Sequence, residues 1–394
     1  MAFSSILGQL ITYAMMPILA RVFDAQEFSI YADFFAWVIP ISVLITLRIE
    51  YAIPTKSNIG DQYVTAIDAI TTGIFNTILL TLPFAFYAYY HCDELWYYGL
   101  IPLAAFFNVI PQVFLFLLSK QLKTQQTGWF RILNSAAVQC ISIALGAFFK
   151  DVSGLIFGFL IGQFIGLLVL FYGNIHALWE SRKKISIVSL SKNYRDYIFF
   201  NTPLGILEVL QISAIVLIID FFYGDPFPGY FYMAWRILQA PINLISNNAY
   251  LINYHYCSEA KNNQLPYHSI IKNQFKSFAI LALLMITTIW ACGPKLFEFV
   301  LGTEFKFSGQ IACTLVIMYA TQFAVSPFSF VAILENKQRT LLMRNLVQFT
   351  ITTITLIAMA NQGIQIENAL MIYGAFVAAI HLLNFHWYYN LSKK

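Results

Sequence analysis

Charged side chains stand inside the apolar stretches of this sequence, where burial is costly. The clearest cases are Arg236, Asp33, Asp68 and Glu208. At membrane depth such groups are expected to face protein or water rather than lipid. An arginine there offers a planar fork of donors that matches phosphate oxygens, and a buried carboxylate can carry a proton. The pattern indicates a polar cavity for an anionic substrate, with carboxylates that could couple transport to an ion gradient. The alternative for each charge is an internal ion pair or a side chain that snorkels to the interface.

Helical spacing places more polar residues beside these charges. One continuous polar face is predicted on a single helix, formed by Tyr232, Arg236, Gln239, Asn243, Asn247 and Tyr250. These positions recur every three or four residues, as they must on one side of an α-helix. A second face carries Gly205 and Glu208. Arg48 and Arg131 lie where we expect the inner mouth of the cavity, which suits an anion that enters from the cytoplasm.

The composition requires that these residues be held by membrane-spanning helices. Of 394 residues, 59% are hydrophobic and 11% are charged, and the mean hydropathy is +0.67. A soluble domain of this size cannot hide that much apolar surface. The apolar residues form continuous blocks rather than alternating, which excludes a membrane β-barrel. With about 20 residues needed for each span, twelve spans are predicted, at 3–20, 29–47, 64–89, 96–118, 129–149, 153–173, 197–222, 227–250, 275–297, 308–333, 340–360 and 366–389.

The distribution of Lys and Arg predicts the orientation. With the N-terminus in the cytoplasm, most of the 23 Lys and Arg residues fall in cytoplasmic segments, including the cluster 182–184. This agrees with the positive-inside rule and places both termini in the cytoplasm. The basic cluster could also contact anionic lipid head groups. No cleavable signal peptide is expected, because no basic segment precedes the first apolar block. That block is short, so the natural start could lie upstream.

The chain is predicted to consist of two six-helix lobes. The longest loop falls near the middle, which gives an N-terminal lobe at 1–175, a cytoplasmic linker at 176–196 and a C-terminal lobe at 197–394. An offset of 201 residues aligns Asp24, Tyr31 and Pro40 with Asp225, Tyr232 and Pro241. An even number of spans in each half makes the repeat parallel. Transporters with such repeats bind substrate between the halves.

Signatures of enzymes and cofactor sites are missing from the sequence. It contains no P-loop, no GxSxG and no HExxH pattern. The six His are scattered, and the five Cys show neither CxxC spacing nor an even count. We therefore expect no catalytic residue, no metal site and no cofactor. Nucleic-acid binding has no support either, since membrane topology accounts for the basic residues.

Three stretches, at 19–56, 201–246 and 292–315, resemble motifs of one family. The first contains LARVF and LRIEYAIP, the second contains GYFYMAWRILQAP, and the third runs from CGPKLF to SGQIACTL. In this order and spacing they resemble polysaccharide biosynthesis membrane proteins, the Wzx-type flippases for O-antigen and exopolysaccharide units. These belong to the multidrug/oligosaccharidyl-lipid/polysaccharide exporter superfamily. The chain departs from the family pattern at Ser29, where glycine is usual, and at Asp33, where an apolar residue is expected.

The resemblance implies an all-α polytopic protein of about 12 transmembrane helices, in two six-helix lobes around a central cavity. It further implies a multi-pass protein of the bacterial cytoplasmic (inner) membrane that moves undecaprenyl-diphosphate-linked oligosaccharide from the inner to the outer leaflet. Alternating access and ion coupling belong to this expectation. The expected partners are the lipid-linked oligosaccharide, membrane lipids and the polysaccharide polymerase or chain-length machinery.

Roles for the candidate residues follow from this interpretation. We expect Arg236, Arg48 and Arg131 to attract the diphosphate, and Glu50 to pair with a basic neighbour at an inner gate. The residues expected to contact sugars are Tyr232, Gln239, Asn243 and Asn247. The candidate ion-coupling carboxylates are Asp33, Asp68 and Glu208.

Three other functions compete with this interpretation. A multidrug or small-molecule cation antiporter of the same superfamily would prefer an acidic, aromatic cavity; Asp33 and Glu208 are compatible with it, whereas the arginines favour an anion. A polysaccharide polymerase or ligase would usually carry a large outer loop with basic and His residues, and no such loop is predicted. A scaffold without transport activity would leave the polar faces unexplained.

Overall fold

The computed structural model describes residues 2–90, 96–181, 194–263 and 266–393, and within them the side chains of all but 2–5, 124, 251 and 262. These ranges are helical apart from short turns. The α-helices are α1 (Ala2–Val22), α2 (Ala25–Thr46), α3 (Ile59–Tyr90), α4 (Ile101–Lys120), α5 (Thr124–Phe149), α6 (Ser153–Tyr172), α7 (Ile175–Ser181), α8 (Thr202–Tyr223), α9 (Phe227–Pro241), α10 (Asn247–Asn262), α11 (His268–Leu301), α12 (Lys306–Val325), α13 (Phe330–Leu334), α14 (Gln338–Asn361) and α15 (Ile366–Leu391).

Short 3-10 and π turns join or extend several of these helices. The 3-10 helices are Ile49–Thr55, Trp96–Leu100, Thr303–Phe305 and Ser326–Phe328, and the π turns are Tyr197–Asn201 and Ile242–Ser246. Helices occupy all twelve ranges that the sequence predicts as spans. Within the described residues, ten helical segments are long and apolar enough to cross a membrane. The predicted all-α polytopic fold is confirmed.

The two remaining predicted spans are helical but lie outside these ten segments. In α1 the apolar stretch among the residues with described side chains is Ile6–Val22. The range 227–250 is divided into α9, the π turn Ile242–Ser246 and α10. The polar residues of α9 and α10 lower the hydropathy of this segment, as expected for a helix that is not surrounded by lipid on all sides.

Several helices extend beyond the apolar blocks that predicted them. Helix α3 begins at Ile59 rather than 64, α10 continues to Asn262 rather than 250, and α11 begins at His268 rather than 275. The added turns carry polar and charged residues, which can stay helical in water while the apolar core of the helix crosses the membrane. A block of apolar residues therefore predicts where a helix crosses the membrane more closely than where the helix ends.

The chain forms two compact units. Unit 1 comprises Met1–Phe23 and Ile30–Leu217, and unit 2 comprises Asp24–Ser29 and Ile218–Lys394. The division falls inside α8. The lobe boundaries predicted from the sequence stay a prediction, and residues 182–193 of the predicted linker lie outside the described residues.

A stripe of small residues joins α5 and α6 in unit 1. Gly154, Gly158 and Gly162 recur every four residues on α6, and a Cβ built at Gly158 would lie 2.5 Å from the Cα of Ser142. Such a distance leaves no room for any side chain at that position. Helices in lipid gain attraction by this close backbone approach, because burial from water cannot drive their association. The stripe fixes α5, and with it the position of Arg131.

Residues 24–29, which include the first turn of α2, belong to unit 2, and side chains of that unit cap the turn. Asp24 Oδ1 accepts from the Glu27 N–H at 2.8 Å, and Glu27 Oε2 accepts from the Asp24 N–H at 2.7 Å. This reciprocal arrangement is a capping box, which satisfies two donors that a helix start leaves unpaired. A third N–H at this end, that of Ala25, donates to Glu304 Oε1 at 2.7 Å. Acidic groups at this end also oppose the helix dipole.

Candidate functional site

The chain reverses sharply after α2, and this turn positions the main candidate site of unit 1. Leu47 and Arg48 both adopt left-handed backbone conformations, with φ of 51° and 59°. The Nδ2 of Asn76 on α3 donates to the carbonyl oxygens of Leu44 and Ile45 at 3.0 Å each, which caps the end of α2. Two consecutive non-glycine residues in this region cost on the order of 1–3 kcal/mol each, and such strain is concentrated at functional sites.

Arg48 is held against three neighbours. Its Nη1 donates to the Tyr51 hydroxyl, and its guanidinium lies 4.8 Å from the Tyr51 ring centroid. Its Nη2 lies 3.6 Å from Glu208 Oε2 on α8. The guanidinium also packs on the α8 backbone at Gly205, where a Cβ would lie 2.4 Å from Nε. The structure thus brings together Arg48 and Glu208, which the sequence predicts for separate roles.

The ion pair predicted for Glu50 is not present among the residues that the structure describes. Arg48 pairs with Glu208 instead, and Glu50 has no ion-pair partner within the described ranges. The reason is the local geometry: residues 49–55 form a 3-10 helix that buries Glu50, which is only 3% exposed. Its Oε2 has no hydrogen-bond partner in the described part of the chain. Burial raises the pKa of Glu50 above its ordinary value, although the nearby Thr46 hydroxyl and, to a smaller extent, Arg48 oppose this effect.

A cavity of about 300 Å³ opens beside Arg48 and Glu50. Its walls come from the end of α2, the 3-10 helix, α4 and α8. The lining residues are Ile39, Ser42, Val43, Arg48, Glu50, Tyr51, Asn108, Val109, Gln112, Phe116 and Val209. The Nδ2 of Asn108 donates to Ser42 Oγ at 3.1 Å, and the ring of Tyr51 packs on Phe116 with centroids 4.9 Å apart. The cavity combines charged, amide and aromatic groups.

Asp33 lies in an aromatic environment elsewhere in unit 1. The hydroxyls of Tyr97 and Tyr98 donate to its Oδ2 at 3.0 and 2.9 Å, and the residue is 5% exposed. Tyr98 also borders a second cavity, of about 360 Å³, together with Trp37 and Tyr87. Tyrosine hydroxyls can stabilise either a carboxylate or a nearby cation, so this region is chemically distinct from the site at Arg48.

Asp68 and Arg131 have their own surroundings. The Tyr194 hydroxyl donates to Asp68 Oδ2 at 2.8 Å. Burial, together with this carboxylate, raises the pKa of the Tyr194 phenol. Arg131 is half-buried on α5, where its carbonyl oxygen lies 3.0 Å from a Cβ built at Gly8 of α1. Arg131 has no ion-pair partner among the residues that the structure describes.

The predicted polar face of unit 2 is divided by a π turn. On α9, the Nη1 of Arg236 donates to the Tyr232 hydroxyl at 3.1 Å, and the Nε2 of Gln239 donates to Asn243 Oδ1 at 3.5 Å. Pro241 then precedes the π turn Ile242–Ser246, which adds one residue to the helical turn. Residues beyond it no longer follow the register of α9. Asn247, the last predicted sugar contact, is exposed.

Four tyrosines that sequence reasoning missed lie against the candidate residues. Tyr51, Tyr97, Tyr98 and Tyr194 all contact a predicted charged residue through their hydroxyls. Tyr51 had a signal, because it lies next to Glu50 in the LRIEYAIP stretch. The other three are far from their partners in sequence, and no spacing rule connects them. Within the described residues, no group of three or more His, Cys, Asp or Glu could hold a metal ion.

Solved transporter structures share this fold. A MATE protein in complex with MaD3S aligns with a TM-score of 0.62 and 12% identity, covering 98% of this chain and 93% of that chain. The eukaryotic MATE transporter AtDTX14 aligns with a TM-score of 0.60 and 12% identity, covering 99% of this chain and 95% of that chain. A MOP superfamily transporter from Pyrococcus furiosus is described as having a binding pocket of reversed polarity. It aligns with a TM-score of 0.60 and 13% identity, covering 100% of this chain and 95% of that chain. At these identities the likeness shows the fold alone.

Sequence comparison assigns the family. No curated protein matches this sequence. The family profile described as "Polysaccharide biosynthesis protein" matches residues 18–310, which is most of the chain. This range includes α2, the turn at Arg48, α8 and the segment of α9 around Arg236. The chain therefore belongs to the polysaccharide biosynthesis protein family.

Proposed function

We propose that this protein is a flippase for undecaprenyl-diphosphate-linked oligosaccharide, an O-antigen or exopolysaccharide repeat unit. It moves this lipid from the inner to the outer leaflet of a bacterial cytoplasmic membrane by alternating access, with both termini in the cytoplasm. The observation that carries the proposal is the polar cavity beside Arg48 in an otherwise apolar helical protein. Family membership and the transporter fold support it.

The arginines supply the chemistry for a diphosphate. A guanidinium has five N–H donors in a fixed fork that fits phosphate oxygens. Arg48 and Arg236 each contact a tyrosine hydroxyl, which orients the guanidinium without changing its charge. Arg131 supplies a third, half-buried guanidinium. Arginine stays protonated even when it is buried, so these sites remain attractive to an anion at any physiological pH.

The Arg48–Glu208 contact provides a way to exchange the anion. Glu208 competes with the diphosphate for the same guanidinium, and its side chain is 57% exposed. Protonation of Glu208 would remove this competitor and strengthen diphosphate binding. Ion coupling through Glu208 therefore has a direct route to Arg48, whereas Asp33 and Asp68, the other coupling candidates, contact tyrosines.

The test is genetic complementation with single Arg→Ala variants, each of which removes one positive charge. In a strain that lacks this gene, we expect Arg236→Ala and Arg48→Ala to abolish surface polysaccharide while both proteins still insert in the membrane. Arg195→Ala removes an exposed arginine outside the site and is expected to act like the wild type. The polymerase and chain-length machinery must be intact in this strain. Full surface polysaccharide with Arg48→Ala and Arg236→Ala would contradict the proposal.

One observation favours a second function, the antiport of organic cations. Trp37, Tyr87 and Tyr98 border a cavity next to buried Asp33, and aromatic faces attract cations. A cation antiporter would protect overexpressing cells against cationic drugs, and Asp33→Asn would remove that protection. A flippase would instead give surface polysaccharide without drug resistance. Both phenotypes can be measured in the same strain.

A further inference from the structure

The cavity beside Arg48 is lined by a buried carboxyl group, one oxygen of which makes no hydrogen bond to a described residue. Glu50 is 3% exposed, and its Oε2 has no hydrogen-bond partner in the described ranges. Buried polar groups in native proteins are almost always hydrogen-bonded, so an exception needs an explanation. The cavity that Glu50 lines has a volume of about 300 Å³, at the lower end of the range for small-molecule sites. A ligand that offers hydroxyl donors would satisfy this oxygen.

The other lining groups narrow the class of ligand. The amides of Asn108 and Gln112 each provide both donors and acceptors. The rings of Tyr51 and Phe116, which pack against each other at a tilt of 53°, form an apolar wall. This mixture does not suit an acyl chain, because the amides and Glu50 would lose water without compensation.

A sugar ring satisfies all these constraints. It carries hydroxyls that both donate and accept, and it has an apolar face that can pack on an aromatic wall. We propose that this cavity, formed by α2, the 3-10 helix Ile49–Thr55, α4 and α8, binds one sugar residue of the lipid-linked glycan. Glu50 accepts hydrogen bonds from its hydroxyls, and Asn108 and Gln112 complete the polar contacts. The inference rests on the proposed function, since it deepens the assignment of that site.

Cysteine protection tests this inference without knowledge of the sugar. Val209 lines the cavity, is half-buried and has no assigned contact with the ligand, so Val209→Cys reports on occupancy when the five native cysteines are replaced by serine. The reagent is a small methanethiosulfonate. It is applied to membranes from cells that make the polyprenyl-diphosphate-linked glycan and from matched cells without the initiating sugar-phosphate transferase. Ser57→Cys, exposed and outside the cavity, is the matched control for reagent access.

The expected result is slower labelling of Val209→Cys in the membranes that contain glycan. Shielding scales as one plus the ratio of ligand concentration to dissociation constant, so a glycan at about twice that constant slows labelling about threefold. Labelling of Ser57→Cys should be the same in both membranes. Adding Glu50→Gln or Asn108→Ala should each reduce the protection. Two variants are used so that a folding defect in one does not decide the outcome.

The outcomes separate this inference from the proposed function. If Val209→Cys supports surface polysaccharide but labels equally in both membranes, the cavity holds only water and the inference is overturned, while the proposed function stands. Protection that persists unchanged with both Glu50→Gln and Asn108→Ala also overturns it. If the wild-type protein fails to restore surface polysaccharide, the proposed function falls, and this inference falls with it.

Discussion

Gly205→Ala should displace the Arg48 guanidinium without disturbing the helices around it. A Cβ at position 205 would lie 2.4 Å from Arg48 Nε and 2.5 Å from Nη2. Carbon and nitrogen atoms at ordinary contact are about 3.5 Å apart, so the guanidinium must retreat by about 1 Å. The atoms that clash belong to the far end of a flexible side chain, and the backbone of α8 can stay in place. The Arg48–Glu208 contact, already 3.6 Å long, would then open.

The effects of this substitution on stability should nearly cancel. Alanine in place of glycine stabilises a helix by about 1 kcal/mol. Loss of the ion pair costs about 0.2–1 kcal/mol, because Glu208 is 57% exposed and water screens the pair. The expected net change in the free energy of unfolding is therefore below about 1 kcal/mol. Transport, in contrast, should fall to the level of Arg48→Ala, since the guanidinium no longer lies at its site.

The measurement combines thermal unfolding of purified protein with complementation of surface polysaccharide. Gly60→Ala is the control for adding a methyl group to a helix, because its Cβ would come no closer than 3.7 Å to another residue. Glu208→Gln already removes the ion pair with Arg48. In that background, Gly205→Ala should cause no further loss of stability from this pair. If Gly205→Ala restores surface polysaccharide as fully as Gly60→Ala and the wild type do, the reasoning that transport depends on the position of Arg48 is refuted.

Three further substitutions test the structure at other points. Burial raises the pKa of Glu50, so ionisation of this carboxyl destabilises the folded protein. Glu50→Gln should therefore raise the thermal midpoint at pH 8, and the difference from the wild type should shrink towards pH 4.5 and disappear below it. An equal difference at all pH values would contradict this. Gly158→Ala places a Cβ 2.5 Å from Ser142 Cα, so it should cost about 1–3 kcal/mol in detergent unfolding, unlike Gly60→Ala. Asn76→Leu leaves two carbonyl oxygens at the end of α2 unpaired and should destabilise by about 1–3 kcal/mol in the same assay, with an unchanged midpoint as the contrary result.

The sequence predicts the spans well because lipid imposes a simple rule. Each block of about 20 apolar residues must be helical, since lipid cannot satisfy backbone groups. All twelve predicted ranges are helical for this reason. Helix ends follow no such rule, and α3 and α11 begin earlier than hydropathy indicates. The glycines of α6, spaced every four residues, also carried a readable packing signal for the α5–α6 pair.

The turn at Arg48 illustrates why the site geometry was harder to predict. Left-handed conformations are usually signalled by glycine or asparagine, and Leu47 and Arg48 are neither. The tertiary contacts of Asn76 and Glu208 hold this turn, and both partners are distant in sequence. Residue types therefore indicated that Arg48 and Glu50 matter. They could not show that Glu208, rather than Glu50, would be the partner of Arg48.

The polar face of α9 shows a different limit. An ideal helical repeat predicts that Tyr232 and Asn247 share a face, because it assumes the same turn throughout. Pro241 has no N–H to donate, and the π turn that follows it inserts one residue. The face holds from Tyr232 to Gln239 and then shifts. A proline within a predicted face is thus a reason to treat its two sides separately.

On the proposed function, the contacts of Arg48 suit a site that binds and releases a diphosphate repeatedly. Tyr51 and the bare backbone at Gly205 fix the plane of the guanidinium, so little conformational entropy remains to be lost when a phosphate binds. The third contact, with exposed Glu208, is weak because such pairs contribute about 0–1 kcal/mol. A diphosphate can displace this carboxylate at small cost, and the carboxylate can return when the lipid leaves. A buried, strong ion pair at the same place would hold the guanidinium too firmly for turnover.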